Sequence, residues 1–163
     1  MKQSCRLQTV PSKIRQIFRH KKRFLDLLLL ADEQESMIDL YLERGEMFAL
    51  YDQNILKTIC VVTDEGGKTI ELKNIATDPQ YQKQGYGKRL IRFISEHYAG
   101  KYDTLLVGTG ESPLTIPFYA QNGFKYSHRI KDFFTDNYDH PIYEDGKQLV
   151  DMVYLRKELS KSK

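Results

Sequence analysis

Apolar positions along this chain switch between a helical period and a strand period, and the switches predict its elements. Leu90, Ile91, Ile94 and Tyr98 recur at helical spacing, with Lys88, Arg92, Ser95 and Glu96 on the opposite face, which predicts a helix over residues 88–98 stopped by Gly100. The same spacing joins Met37, Leu40 and Tyr41 in a helix over 33–44 that ends at Gly45. It also joins Ile14, Ile17 and Phe18 in a helix over 13–30 with Ser12 as its cap. Strands are predicted over 5–10, 47–51, 55–63, 69–77, 104–107, 124–130 and 149–155. Asp64, Glu65, Gly66 and Gly67 make the turn of an antiparallel hairpin. A short helix over 113–121 has Pro113 in its first turn and Asn122-Gly123 at its end. The order is strand, two helices, three strands, helix, strand, helix and two strands. That order implies an α/β (α+β) fold with a mixed sheet flanked by helices.

Composition narrows the class. A length of 163 residues suits one domain, and 40% hydrophobic residues supply one core, which argues against global disorder. The longest aliphatic run, Leu27 to Leu30, is flanked by Asp26 and Asp32 and falls far short of the ~20 residues of a membrane helix. Basic residues precede those leucines but no small-residue cleavage site follows, so the reading is a cytoplasmic protein with no membrane contact. Cys5 and Cys60 fit no metal or redox spacing, and His20, His97, His128 and His140 are scattered, so no metal is expected. Cys60 lies in the apolar run 59–62 and is expected to be a buried thiol.

The net charge of +3 is uneven. Lys13, Arg15, Arg19, Lys21, Lys22 and Arg23 meet no acid among residues 13–23. They read as the solvated face of the first helix. Apart from Phe18 no aromatic is interleaved with them, which argues against a nucleic-acid contact.

The segment Gln82-Lys83-Gln84-Gly85-Tyr86-Gly87 carries the first chemistry. It joins a predicted strand to the start of a predicted helix. Unpaired N–H groups and the helix dipole there favour an anion, and glycine lets a ligand approach the backbone. Lys83, Lys88 and Arg89 add positive charge. A Walker loop fails, because Gly87-Lys88 is followed by Arg89 and position 82 is Gln. A Rossmann fingerprint fails because Leu90 stands where a third glycine is needed.

Placed after Asn74-Ile75-Ala76-Thr77-Asp78-Pro79, this segment resembles the acetyl-CoA pyrophosphate loop of the GNAT superfamily of N-acetyltransferases. Downstream, Phe118-Tyr119-Ala120-Gln121-Asn122-Gly123-Phe124 resembles that family's F-Y-x-x-x-G-F segment. The resemblance covers residues 47–126 well and is weaker at both ends. It implies a partly splayed sheet with acetyl-CoA entering between the fourth and fifth strands as co-substrate. The pantetheine would lie along Ile75, Ala76 and Thr77, and the pyrophosphate on Gln82, Lys83, Gln84, Gly85, Tyr86, Gly87 and Lys88. The family often has an asparagine seven residues before the tyrosine, contacting the pantetheine. Ser112 stands there in this chain, and its hydroxyl can still hydrogen-bond.

Acetyl transfer to an amine needs a neutral amine, although an alkyl ammonium has a pKa of ~10. It also needs stabilisation of the thioester oxygen and a proton for the departing thiolate. The resemblance places Tyr119 as that proton donor and backbone N–H groups near Ile75 as the oxygen's partners. Glu71, eleven residues before Gln82, matches the position of a glutamate base in some members, whereas others pass the proton along waters. Simple alternation puts Glu71, Lys73, Ile75 and Thr77 on one strand face, a parity that a bulge would alter. Asn74 is a candidate to orient the substrate or a water. The aromatic and acidic segment 133–144, with Phe133, Phe134 and Tyr138, suits an amine cation, and residues 28–41 offer a second wall. The expected protein is a single N-acetyltransferase domain over 1–163, with residues 127–158 on the acceptor side and a homodimer common in such folds. It would move acetyl directly to a primary amine of a small molecule or peptide. The alternative is a non-catalytic acyl-CoA-binding module.

Overall fold

The computed structural model describes residues 11–159. Seven strands form one sheet: β1 (Lys13–Ile17), β2 (Glu46–Asp52), β3 (Ile55–Gly66), β4 (Thr69–Thr77), β5 (Thr104–Gly110), β6 (Lys125–Ile130) and β9 (Met152–Glu158). Their order is β1-β2-β3-β4-β5-β9-β6. The β4–β5 pair is parallel and every other neighbour is antiparallel. A separate hairpin joins β7 (Tyr143–Glu144) to β8 (Lys147–Gln148). The helices are α1 (Leu25–Ala31), α2 (Glu35–Ile38), α3 (Tyr86–Tyr98), α4 (Thr115–Gln121) and α5 (Phe133–Asn137).

Helices cover both faces of the sheet. On one face Leu90, Ile91, Ile94 and Tyr98 of α3 bury against Ile70, Leu72, Leu105 and Val107. On the other, Leu28 of α1 and Ile38 of α2 bury with Leu42 against Met47, Ile59 and Val61. Cys60 is fully buried in the first core, and burial pushes its thiol pKa up. Burying an aliphatic side chain of this size contributes about 1.5–3 kcal/mol, so the two apolar faces fix the sandwich.

Three expectations are corrected. Residues 13–17 form a strand, not the start of a helix. Their i, i+3 isoleucines read as helical, but in a strand an odd separation sends side chains to opposite faces. Ile14 packs on the α3 side and Ile17 on the α1 side. Because both faces are covered, that spacing suits β1 as it pairs with β2 from Lys13↔Tyr51 to Ile17↔Met47. The helix expected over 33–44 is only one turn long, followed by turns as far as Gly45. Leu40, read as part of its apolar face, is 67% exposed.

The third correction is Lys21, which is not a solvated cation. It is buried, and its Nζ donates to the carbonyls of Leu42 (3.0 Å), Glu43 (3.3 Å) and Gly45 (2.6 Å). It thereby satisfies the carbonyl oxygens that the turns leave open. Lys22, in contrast, remains exposed and pairs with Glu35 and Asp39.

The predicted strands over 47–77 and the helix over 88–98 appear with small changes in their ends. The aromatic and acidic segment 133–144 holds α5 and β7, and with β8 and Leu149 after it forms a small core of Phe134, Ile142 and Leu149. The strand expected over 5–10 lies outside the described residues. Among the described residues no helix is long and apolar enough to cross a membrane.

Candidate active site

The site begins at one extra residue in β4. Asn74 pairs with Val61 and Leu72 with Val62, so Lys73 has no partner of its own on β3. This bulge reverses side-chain parity along the strand. Ile70, Leu72 and Ile75 all serve the α3 core, while Ala76 joins the α1 core and Asn74 reaches Leu28. The alternation that grouped Glu71 with Ile75 is therefore corrected: across the bulge, Glu71 shares its face with Asn74.

The sheet splits at the same place. Parallel pairing of β4 with β5 runs from Thr69↔Thr104 to Leu72↔Val107 and stops there. Residues 74–77 continue to pair with β3 on their other side. Their outer backbone edge faces a gap, where N–H and C=O groups need partners from a ligand or water.

The glycine turn lies at the end of that edge. Asp78 caps a 3₁₀ turn over Pro79–Tyr81 by accepting from the Gln80 N–H. Gln82 Nε2 then donates to the Thr77 carbonyl at 3.2 Å. Lys83 and Gly85 take left-handed conformations, with φ of 63° and 86°, and α3 starts at Tyr86. The first N–H groups of a helix have no acceptor within it. A Cβ on Gly87 would sit 3.4 Å from the Phe118 ring and 3.8 Å from Thr77 Oγ1, ordinary contact distances. Packing thus does not require glycine there, and its absent side chain leaves the helix start open to a ligand. Tyr86 is held away by donating to Asp52 Oδ2 at 2.8 Å. Arg89 bonds the neutral Ser12 hydroxyl.

Beyond the split lies a cleft of about 370 Å³, lined by residues of α1 and its C-terminal end, β4, β5, α4, α5 and β7. Asn74, Ile75, Tyr119, Phe134 and Tyr138 from the sequence reading line it together. Glu71, Ser112 and Phe133 do not. A larger groove of about 640 Å³ runs along β1 among Lys13, Arg15, Arg19 and Arg23. It holds none of the sequence-predicted site residues.

Tyr119 is buried, with its ring edge-on to Phe118 and Phe124 at 5.2 and 5.5 Å between centroids. Burial, and then the charge of Glu144, raise its pKa, so the phenol keeps its proton. Ser112 accepts from the Leu114 N–H at 3.1 Å, which shapes the entry to α4 and leaves its own hydroxyl proton available. Gly108 and Gly110 of β5 are set by packing, since a Cβ would meet Met152 Sδ at 2.9 Å or Leu149 Cδ1 at 2.5 Å.

Glu71 is buried and its carboxylate meets Lys73 Nζ at 2.7 Å. Burial raises its pKa, and the Lys73 hydrogen bond and charge oppose that rise. Asn74 donates through Nδ2 to the Leu28 carbonyl (3.0 Å) and the Tyr41 hydroxyl (3.1 Å). A carbonyl only accepts, so this fixes the orientation of the amide. Asn74 Oδ1 is then buried with no hydrogen-bond partner among the described residues, a costly state unless a ligand or water fills it.

Sequence reasoning missed Asp32. In the sequence it is only the polar end of the leucine run, within residues 28–41 that are expected to form a wall. Asp32 lines the cleft and accepts from Tyr41 (3.1 Å, Oδ2) and Tyr138 (2.8 Å, Oδ1). Burial pushes its pKa up, and the two phenol hydrogen bonds hold it down. Among the described residues no group of three His, Cys, Asp or Glu side chains could hold a metal ion.

Residues 43–126 match the family model of the acetyltransferase (GNAT) domain. An uncharacterized N-acetyltransferase of Bacillus subtilis (strain 168), YvbK, is 39% identical over 137 residues, covering 82% of this chain and 88% of that protein. A GNAT family acetyltransferase from Elizabethkingia anophelis with acetyl-CoA bound superposes with a TM-score of 0.86 at 35% identity, over 91% of this chain and 98% of that one. A Bacillus subtilis acetyltransferase in complex with CoA gives 0.82 at 35% identity, over 91% and 99%. The chain belongs to the GNAT acetyltransferase family. It is an acetyl-CoA-dependent acyltransferase with acetyl-CoA as its co-substrate, which sets aside the non-catalytic module.

The residues present fit that co-substrate. The free β4 edge at Ile75, Ala76 and Thr77 offers backbone groups to an amide-bearing arm. The start of α3, with Gly85 left-handed and Gly87 open, offers N–H groups to a pyrophosphate.

Proposed function

We propose that this enzyme acetylates a primary amine of a small molecule or peptide by direct attack, without a covalent enzyme intermediate. Acetyl-CoA, when bound, supplies the acetyl group as a thioester. Tyr119 carries the reading: its protonated phenol lines the same cleft as the split edge of β4. In this account the C–N bond forms as the C–S bond breaks, Tyr119 gives its proton to the departing thiolate, and the proton lost by the amine leaves through solvent water, from which the phenolate is reprotonated. Backbone N–H groups near Ile75 stabilise the oxygen on which negative charge develops. Asn74 Oδ1 accepts an N–H of the amine and so directs its lone pair. Direct attack agrees with the placement of Cys60, whose thiol is sealed in the core away from the cleft. Glu71 stands outside the cleft lining and is paired with Lys73, so a base role for it runs through water. Phe134 and Tyr138 contribute an aromatic wall, which Phe133 backs from behind.

The test is thiol release from acetyl-CoA by purified protein over a panel of alkyl amines and peptides, with mass detection of the acetylated product. Tyr119→Phe should lower kcat more than it raises the KM for acetyl-CoA. An unchanged kcat across a pH series would remove Tyr119 from the proton-donor role.

A further inference from the structure

The charges lining the cleft do not balance. Among the described residues that line it, Asp32, Glu33 and Glu144 face one Lys or Arg, Lys73, while His140 outside the lining lies 3.5 Å from Glu33. Lys73 is already held by Glu71 at 2.7 Å and Glu65 at 3.7 Å. Asp32 forms no ion pair among the described residues, and its side-chain partners there are the neutral phenols of Tyr41 and Tyr138. The Gln34 backbone N–H also bonds this carboxylate, and with three of its roughly four acceptor positions used one is left for a ligand. A partly buried carboxylate without a counter-charge is costly, and a cationic ligand relieves that cost.

A second observation points to the same ligand. Asn74 is 3% exposed, lines the cleft, and among the described residues leaves Oδ1 without a donor. Its Nδ2 is joined to Asp32 through the Tyr41 hydroxyl, at 3.1 Å on each side. The cleft therefore presents two linked acceptors, one charged and one neutral. An alkyl ammonium supplies several N–H donors and one positive charge. The aromatic faces of Tyr138 and Phe134 beside them suit the same cation. A carboxylate next to the amine would instead meet Asp32, Glu33 and Glu144.

We infer that Asp32 determines acceptor specificity, selecting cationic alkyl or arylalkyl amines and rejecting amines that carry an adjacent carboxylate. The inference rests on the amine-acceptor reading above and narrows its substrate class.

The experiment uses matched pairs that differ by one carboxylate: phenethylamine and phenylalanine, isobutylamine and valine, butane-1,4-diamine and ornithine. Calorimetric affinity in the presence of CoA is measured beside kcat/KM in the presence of acetyl-CoA. Wild type should favour the amine over its amino acid by at least about tenfold in one or more pairs. Asp32→Asn retains an acceptor for a tyrosine but removes the charge. It should lower affinity for the favoured amine at least about tenfold and bring the pair close to parity. Tyr138→Phe keeps the ring and should weaken the same amine by a smaller factor, a control in case Asp32→Asn folds poorly. A purely structural Asp32 would lower stability and leave the preference intact, and that result overturns the inference. Equal or stronger binding of the amino acids to wild type also overturns it. If amino acids alone are acetylated, the inference fails while the amine reading stands. If no amine binds or is acetylated, both fail.

Discussion

The Tyr138 hydroxyl donates to Asp32 Oδ1 at 2.8 Å, between residues 106 positions apart in sequence. This bond ties the C-terminal end of α1 to the segment after α5. Two further contacts lie beside it. The Asp139 N–H donates to Gln34 Oε1 at 3.0 Å, and His140 Nε2 lies 3.5 Å from Glu33. Together they hold the two walls of the cleft in one arrangement. Tyr138→Phe should lower stability by about 1.5 kcal/mol, the lower end for a hydrogen bond to a charged group, because Asp32 stays partly open to solvent. Urea unfolding of the variant and wild type measures it, and no change would mean that the walls are held by packing.

The two glycines of the turn should behave differently. Gly85 has φ of 86°, so Gly85→Ala should destabilise the fold by about 1–2 kcal/mol. A Cβ at Gly87 meets only ordinary contacts, so Gly87→Ala should leave the melting temperature unchanged or higher. Its methyl would occupy the approach to the start of α3, and affinity for CoA should fall at least about tenfold. Calorimetry with CoA separates the two effects. Wild-type affinity in Gly87→Ala would move the pyrophosphate away from this turn.

Glu71 should matter more to the fold than to chemistry. Its side chain is 10% exposed and pairs with Lys73. Glu71→Gln leaves a partly buried lysine with Glu65 alone, at 3.7 Å, and should cost about 1–3 kcal/mol, less than breaking an isolated buried pair from one side. The loss in kcat should be smaller than that of Tyr119→Phe. Chemical denaturation and steady-state kinetics on one preparation decide this, and the reverse ranking would restore Glu71 as the base.

Alkaline pH should unfold the protein through its phenols. Burial raises the pKa of Tyr41, Tyr98, Tyr119, Tyr138 and Tyr154. The folded chain then keeps protons that the unfolded chain releases above pH ~10, where free phenols titrate. The stability these groups contribute is complete below that pH and is lost as pH climbs toward their folded values. Melting temperature followed from pH 8 to 11 should be flat at first and drop above about 10. A flat profile to pH 11 would contradict the burial of these hydroxyls.

What the sequence made legible was local. α3 shows because its four buried residues repeat at helical spacing on one otherwise polar helix. The glycine turn and the tyrosine motif show because each is a short contiguous run that resembles a family motif, and the two stand in the right order of elements. β1 was misread because Ile14 and Ile17 serve two cores, and a one-dimensional period cannot distinguish two faces from one. The parity of β4 was misread because the bulge at Lys73 exists only in its pairing with β3. Asp32 was missed for the same kind of reason. Its partners come from Tyr41, in the turns after α2, and from Tyr138, 106 positions further along the chain. Nothing in the run of leucines before it signals that those three side chains meet.

Single-turnover acetylation of an alkyl amine by wild type and Tyr119→Phe, with quenched samples analysed for N-acetyl product, tests the central claim most directly. The account predicts that wild type forms the product and that Tyr119→Phe forms it at least about 100-fold more slowly, with acetyl-CoA affinity retained. Equal rates in the two proteins, or acetyl accumulating on the protein before product appears, would contradict it.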